Sequence, residues 1–108
     1  MKRGSIYWVN LEPASPPEFG KTRPGIVVSN TEQNLRLTSV VIVPLSTQSP
    51  EIWPLRLELI LSKGKKSYAV LPGICQVSKK RFHEMIGTAS SEFLDKLNDA
   101  LQAYLSDP

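Results

Sequence analysis

The chain has 108 residues, of which 41% are hydrophobic and 21% charged. That length predicts one domain spanning residues 1–108, and the composition excludes a disordered chain. A net charge of +3 permits an anionic partner without demanding one. The lone cysteine, Cys75, excludes an internal disulfide and reads as a small buried hydrophobe. MKRGSIYWVN carries two basic residues with no apolar segment behind them, and no run approaches the ~18 apolar residues of a membrane span. A cytoplasmic protein with no membrane contact is expected.

In chain order, SIYWVNL (5–11) alternates and is rich in β-formers, which predicts a strand. EPASPPEFGKT (12–22) holds three prolines, a glycine and two acids, and reads as a long loop. PGIVVSN (24–30) predicts a second strand opened by a proline, and TEQNLRLT (31–38) a short turn or a helical turn. SVVIVPL (39–45) is the most β-branched run and predicts a central strand; STQSPEIW (46–53) follows as a polar loop. In PLRLELIL (54–61), leucines 55, 57, 59 and 61 fall on one face. SKGKK (62–66) predicts a turn, and SYAVLPGICQV (67–77) a strand broken at Pro72-Gly73. KKRFHEMIG (79–87) gives a basic corner and a short strand. From a cap at Ser90 or Ser91, apolar positions 93, 94, 97, 100, 101, 104 and 105 follow helical spacing. Short strands followed by one helix predict a small, mostly antiparallel β-barrel with a C-terminal α-helix packed across it.

Few residues are equipped for chemistry. One histidine and one cysteine give no spacing that gathers metal ligands, so no cofactor is expected. His83, among Phe82, Glu84 and Met85, reads as a surface histidine, and neither a nucleophile elbow nor a phosphate-binding GxxxxGKS loop is present. What remains is Glu18, Arg23 and the Ser46-Thr47 pair. Arginine presents a fixed fork of donors and stays charged, which suits a phosphate or a pentacovalent phosphorane. A hydroxyl at the end of a neighbouring strand suits the same group. Ordinary readings stand beside these: Arg23 as a surface charge, Glu18 as its ion-pair partner, Ser46 as a loop cap. On the residues alone, both stay open.

The order RGSIYWVNLEP, EFGKTRPGIVVSN, VVIVPLSTQS resembles the MazF/PemK family of toxin endoribonucleases. The resemblance runs through most of the chain. It takes in Arg3 to Pro13, the acid five residues before the Arg-Pro pair, Val43 to Thr47, the alternating leucine strand, the KKR corner at 79–81, and the helix after Ile86-Gly87. It implies an SH3-like barrel that dimerises and cuts single-stranded RNA without metal, leaving 2′,3′-cyclic phosphate and 5′-hydroxyl ends. It also implies a growth-inhibiting toxin neutralised by a cognate antitoxin, with operator DNA met only through that antitoxin. Arg23 and Ser46, with Thr47 one residue on, match the catalytic positions; Glu18, Lys21, Gln48, Lys79, Lys80 and Arg81 are the expected RNA contacts. Lys21, Arg23, Lys79, Lys80 and Arg81 would form one basic surface if the Arg-Pro loop and the KKR corner lie together in a dimer.

Two stretches depart from the family. Pro72-Gly73-Ile74-Cys75 stands where many members carry acid-Gln-Ile-Arg, and SPPEFG keeps Glu18 but lacks the glutamine of the usual loop. The altered loop predicts a recognition sequence of this chain's own, and the PGIC stretch means that the family's cutting specificity does not carry over. Two alternatives remain: a non-catalytic barrel of the same fold that binds RNA or protein, and a growth inhibitor that poisons a topoisomerase.

Overall fold

A computed structural model describes residues 1–61 and 64–107; Ser62 and Lys63, in the expected 62–66 turn, lie outside the described residues. The elements run β1 (Ser5–Asn10), β2 (Thr22–Val27), α1 (Thr31–Arg36), β3 (Ser39–Ser46), β4 (Arg56–Ile60), β5 (Lys66–Val70), β6 (Cys75–Ser78), β7 (Phe82–Thr88) and α2 (Ser91–Leu105). The strands form one antiparallel sheet in the order β4-β5-β3-β2-β1-β7, with β6 also on β3.

β3 organises the sheet because it is long and apolar enough to be covered on both faces. β2 pairs along one edge, while β5 and β6 share the other. Its register steps by three residues between Leu45↔Ala69 and Ile42↔Cys75, and the 3-10 turn Leu71–Gly73 takes up those residues. The break expected at Pro72-Gly73 is therefore where one strand bends into two.

The mostly β, antiparallel class with a C-terminal helix agrees with the sequence, but the sheet stays open. Among the described residues β4 and β7 end the sheet without pairing to each other, and β6 meets β7 only through the 3-10 turn Lys79–Arg81. Closure is not needed to bury the apolar surface, because α2 covers one face. Phe93, Leu97 and Ala100 pack there with Ile6, Ile26, Val43, Leu45, Leu57 and Leu71. A second core of Val9, Val27, Val40, Ile42 and Val77 fills the bend on the opposite side.

α2 begins where expected, since the Ser90 hydroxyl accepts from the Phe93 N–H at 3.1 Å. Its expected apolar stripe extends past the sheet, leaving Tyr104 and Leu105 exposed. Leu55 departs likewise: it precedes β4 and is exposed, whereas Leu57 and Leu59 are buried. β2 starts earlier than Pro24 suggested, because Thr22 and Arg23 still pair with Asn10 and Val9. No helix among the described residues is long and apolar enough to cross a membrane.

Candidate active site

β2 and β3 pair through Gly25↔Pro44. Continued two residues at the same offset, that register sets Arg23 opposite Ser46, and both line a cleft of about 260 Å³ at this end of the sheet. β2 and the residue before it supply Lys21, Thr22, Arg23 and Pro24; β3 and the residue after it supply Leu45, Ser46 and Thr47. Lys65 and Ser67 come from β5 and its approach, and Leu61 from the end of β4. Three lining side chains are basic, Lys21, Arg23 and Lys65, and no carboxylate lines the cleft among the described residues. A cleft with three basic side chains, edged by hydroxyls, suits a phosphate.

Arg23 is held on both sides. Its Nε donates to the Gly20 carbonyl at 3.1 Å, and its guanidinium carbon lies 5.0 Å from the Phe19 ring centre. Phe19 is wedged in turn against Gly73, where an added Cβ would meet the Phe19 ring at 3.1 Å and Pro44 at 2.6 Å. The glycine of the unusual PGIC stretch thus makes room for the ring that supports Arg23.

The hydroxyls differ. Ser46 ends β3 and is 9% exposed; its Oγ accepts from the Gln48 N–H at 3.1 Å, and its carbonyl accepts from Ser67 Oγ at 3.2 Å. Thr47 lies beyond the strand and is exposed.

A family model for PemK-like, MazF-like toxins of type II toxin-antitoxin systems matches residues 2–105. The chain belongs to this family. Endoribonuclease MazF9 of Mycobacterium tuberculosis is 29% identical over an alignment 115 positions long, taking in 97% of this chain and 96% of that one. Endoribonuclease EndoA of Bacillus subtilis is 26% identical over 110, with 98% and 95% covered. A solved endoribonuclease from a mycobacterial species superposes with a TM-score of 0.82 at 25% identity, over 100% of this chain and 93% of its own.

In this MazF/PemK chain the remaining expected contacts scatter. Glu18 does not pair with Arg23: its Oε1 closes its own turn by accepting from the Ser15 N–H at 2.9 Å. It lines a second, larger cleft of about 540 Å³ with Phe19, Pro72, Cys75 and Arg81. There burial first, and the Glu18 charge second, push the Cys75 thiol above its ordinary value. In the KKR corner the three side chains take different surroundings. Lys79 donates to the Asn34 carbonyl and Arg81 to the Glu12 carbonyl, leaving Lys80 exposed. Each long side chain takes a nearby backbone acceptor, a choice that a run of charges in sequence does not specify. Gln48 touches the site through its backbone. His83 is exposed, and no group of three His, Cys, Asp or Glu converges among the described residues.

Lys65, Ser67 and Phe19 were absent from the sequence reading. Lys65 belongs to the basic SKGKK run after the alternating strand, a signal that was present in the sequence; Ser67 gives none, because only pairing of β5 with β3 brings it to the cleft.

Proposed function

We propose that the protein is a toxin endoribonuclease that cuts single-stranded RNA at a defined sequence without metal and is held in check by a cognate antitoxin. The observation that carries this is the Arg23–Ser46 cleft, with three basic side chains, hydroxyls and no lining carboxylate among the described residues. In the reaction the RNA 2′-oxygen attacks the adjacent phosphorus, the bond from phosphorus to the 5′-oxygen breaks, and a 2′,3′-cyclic phosphate forms. The proton lost from the 2′-hydroxyl balances the one gained by the leaving 5′-oxygen, and one P–O bond replaces another, so no co-reactant is needed. Arg23 stabilises the phosphorane, with Lys21 and Lys65 adding positive charge. Ser46 and Thr47 offer hydroxyls to its oxygens.

Incubating purified protein with a long RNA in EDTA tests the reading. Discrete fragments ending in 5′-hydroxyls are expected. Binding without cleavage would replace the enzyme with an RNA-binding module.

The protein acts in the cytoplasm as one domain and as a homodimer. Exposed Trp8, Trp53, Ile60 and Met85 support pairing, since a small chain gains buried area by it. The antitoxin presents an acidic segment that orders on the basic surface and competes with RNA. Glu18, Lys21, Gln48, Lys79, Lys80 and Arg81 serve as RNA contacts around the cleft. For Lys79 and Arg81 this requires exchanging a backbone carbonyl for a phosphate.

A further inference from the structure

We infer that Arg56 is a positioning residue for the Ser46 hydroxyl, acting through the backbone of Gln48. The inference rests on the reading that Ser46 faces the scissile phosphate. The Gln48 N–H donates to Ser46 Oγ at 3.1 Å, and the Gln48 carbonyl accepts from Arg56 Nη1 at 2.8 Å. The two peptide groups flanking one α-carbon therefore connect a charged donor on β4 to the hydroxyl at the end of β3.

The loop between these strands has little else to hold it at this point. Residues 47–51 are all exposed, so burial does not fix them. Further along, Glu51 is tied down: its carboxylate accepts from Lys96 Nζ at 2.9 Å and from the Glu58 N–H at 2.7 Å. Between that anchor and Ser46, Arg56 is, among the described residues, the side chain that grips the loop backbone. Arg56 itself stands on a rigid base. Its Cα pairs with Val70 across β4 and β5, and its backbone exchanges hydrogen bonds with Ile52 at 2.7 and 2.8 Å.

The consequence for chemistry lies in proton direction. The Gln48 N–H occupies a lone pair of Ser46 Oγ, so the serine proton is directed elsewhere and Ser46 meets the phosphate as a donor. A donor aimed before substrate arrives needs no reorganisation in the transition state, and that preorganisation depends on Gln48 staying in place. Arginine suits the task because its fork stays charged and spans from a strand to a loop carbonyl.

The test is a cycle of Arg56→Met, Ser46→Ala and the double variant, in single-turnover and steady-state cleavage of one RNA, with Arg56→Lys alongside. Arg56→Met should lower kcat about tenfold with KM within about twofold, and Arg56→Lys should recover part of the loss. In the Ser46→Ala background the same change should alter the rate by less than about twofold, because the group being positioned is gone. Amide hydrogen exchange at Gln48 should accelerate in Arg56→Met while core amides stay protected. Equal losses in both backgrounds, or a change in KM alone, would overturn the inference and make Arg56 a structural or phosphate-contacting residue. Failure of the wild type to cut RNA would instead sink the proposed function, and unchanged Gln48 exchange would then by itself refute the Arg56 contact.

Discussion

The Arg23 guanidinium lies over the Phe19 ring, 5.0 Å from its centre, and Phe19 borders the larger cleft that also holds Glu18. The ring that supports the Arg23 charge in the proposed chemical cleft thus also lines the larger one.

Arg23→Ala should reduce cleavage by ~10²–10³ while leaving the fold intact. Arg23 is partly exposed and belongs to neither buried core. Single-turnover rates and a thermal melt on the same sample check this; a folded variant within tenfold of wild type would remove Arg23 from the mechanism. Phe19→Leu should cost less, several-fold, because it removes only the ring contact, worth ~0.5–1 kcal/mol at a partly exposed site.

Ser46→Ala should be more damaging than Thr47→Val. Ser46 ends a paired strand with its hydroxyl already bonded on one side, whereas Thr47 is exposed beyond it. Rates for the two variants rank them, and the reverse order would transfer the role to Thr47.

Lys65→Ala should weaken RNA binding and reduce the slope of log affinity against log salt by about one, the signature of one lost phosphate contact. Lys65 lines the Arg23 cleft, so its loss should also slow cleavage. Titrations of a 2′-deoxy RNA analogue at several salt concentrations give the slope; an unchanged slope would mean that Lys65 faces no phosphate.

Stability should respond to acid through Glu51. The Lys96 ammonium first, and the Glu58 N–H second, hold its carboxyl below the ordinary 4.5. Unfolded Glu51 titrates at the ordinary value, so the clamp stabilises fully above it and is lost as pH falls through the lowered folded value. The pair is well exposed, which limits its worth to under ~1 kcal/mol. Melting temperatures of wild type and Glu51→Gln should therefore differ by a few degrees at neutral pH and converge in acid. A constant gap would assign the effect to packing.

Cys75 should resist iodoacetamide at neutral pH, since burial and Glu18 both disfavour the thiolate. Glu18→Gln should speed labelling only modestly, because the second and smaller influence is the one removed. Rapid labelling of the wild type would contradict a half-buried thiol.

Elements that stabilise themselves locally were legible in the sequence. α2 declares itself by Ser90 and by the spacing of Phe93, Leu97 and Ala100, and β3 by its β-branched run. The Arg23–Ser46 relation was half visible: both residue types were conspicuous, but their opposition depends on the register of β2 against β3. Ser67 was invisible because a serine in a strand carries no mark of which cleft the neighbouring strand borders. The fate of Glu18, Lys79 and Arg81 was hidden for a different reason. A charge in sequence suggests a charged partner, yet each of these takes backbone groups that only the folded chain brings within reach. That the sheet stays open was hidden because strand count alone does not reveal that a helix will cover the open face.

The loop between β1 and β2 is cinched at its neck. The Leu11 N–H donates to the Lys21 carbonyl at 2.8 Å, Glu12 Oε1 accepts from the Lys21 N–H, and Arg81 grips the Glu12 carbonyl from β7's approach. Lys21 is fixed there at φ 64°, immediately before the strand that carries Arg23. The tip, Ser15 to Glu18, closes on itself with two bonds of its own. Inheritance can therefore rewrite the tip residue by residue without disturbing the arginine behind the neck. A tip transplanted between two relatives with matching necks should leave Arg23 in place, and cleavage-site mapping of the chimera reads whether sequence preference travels with the tip.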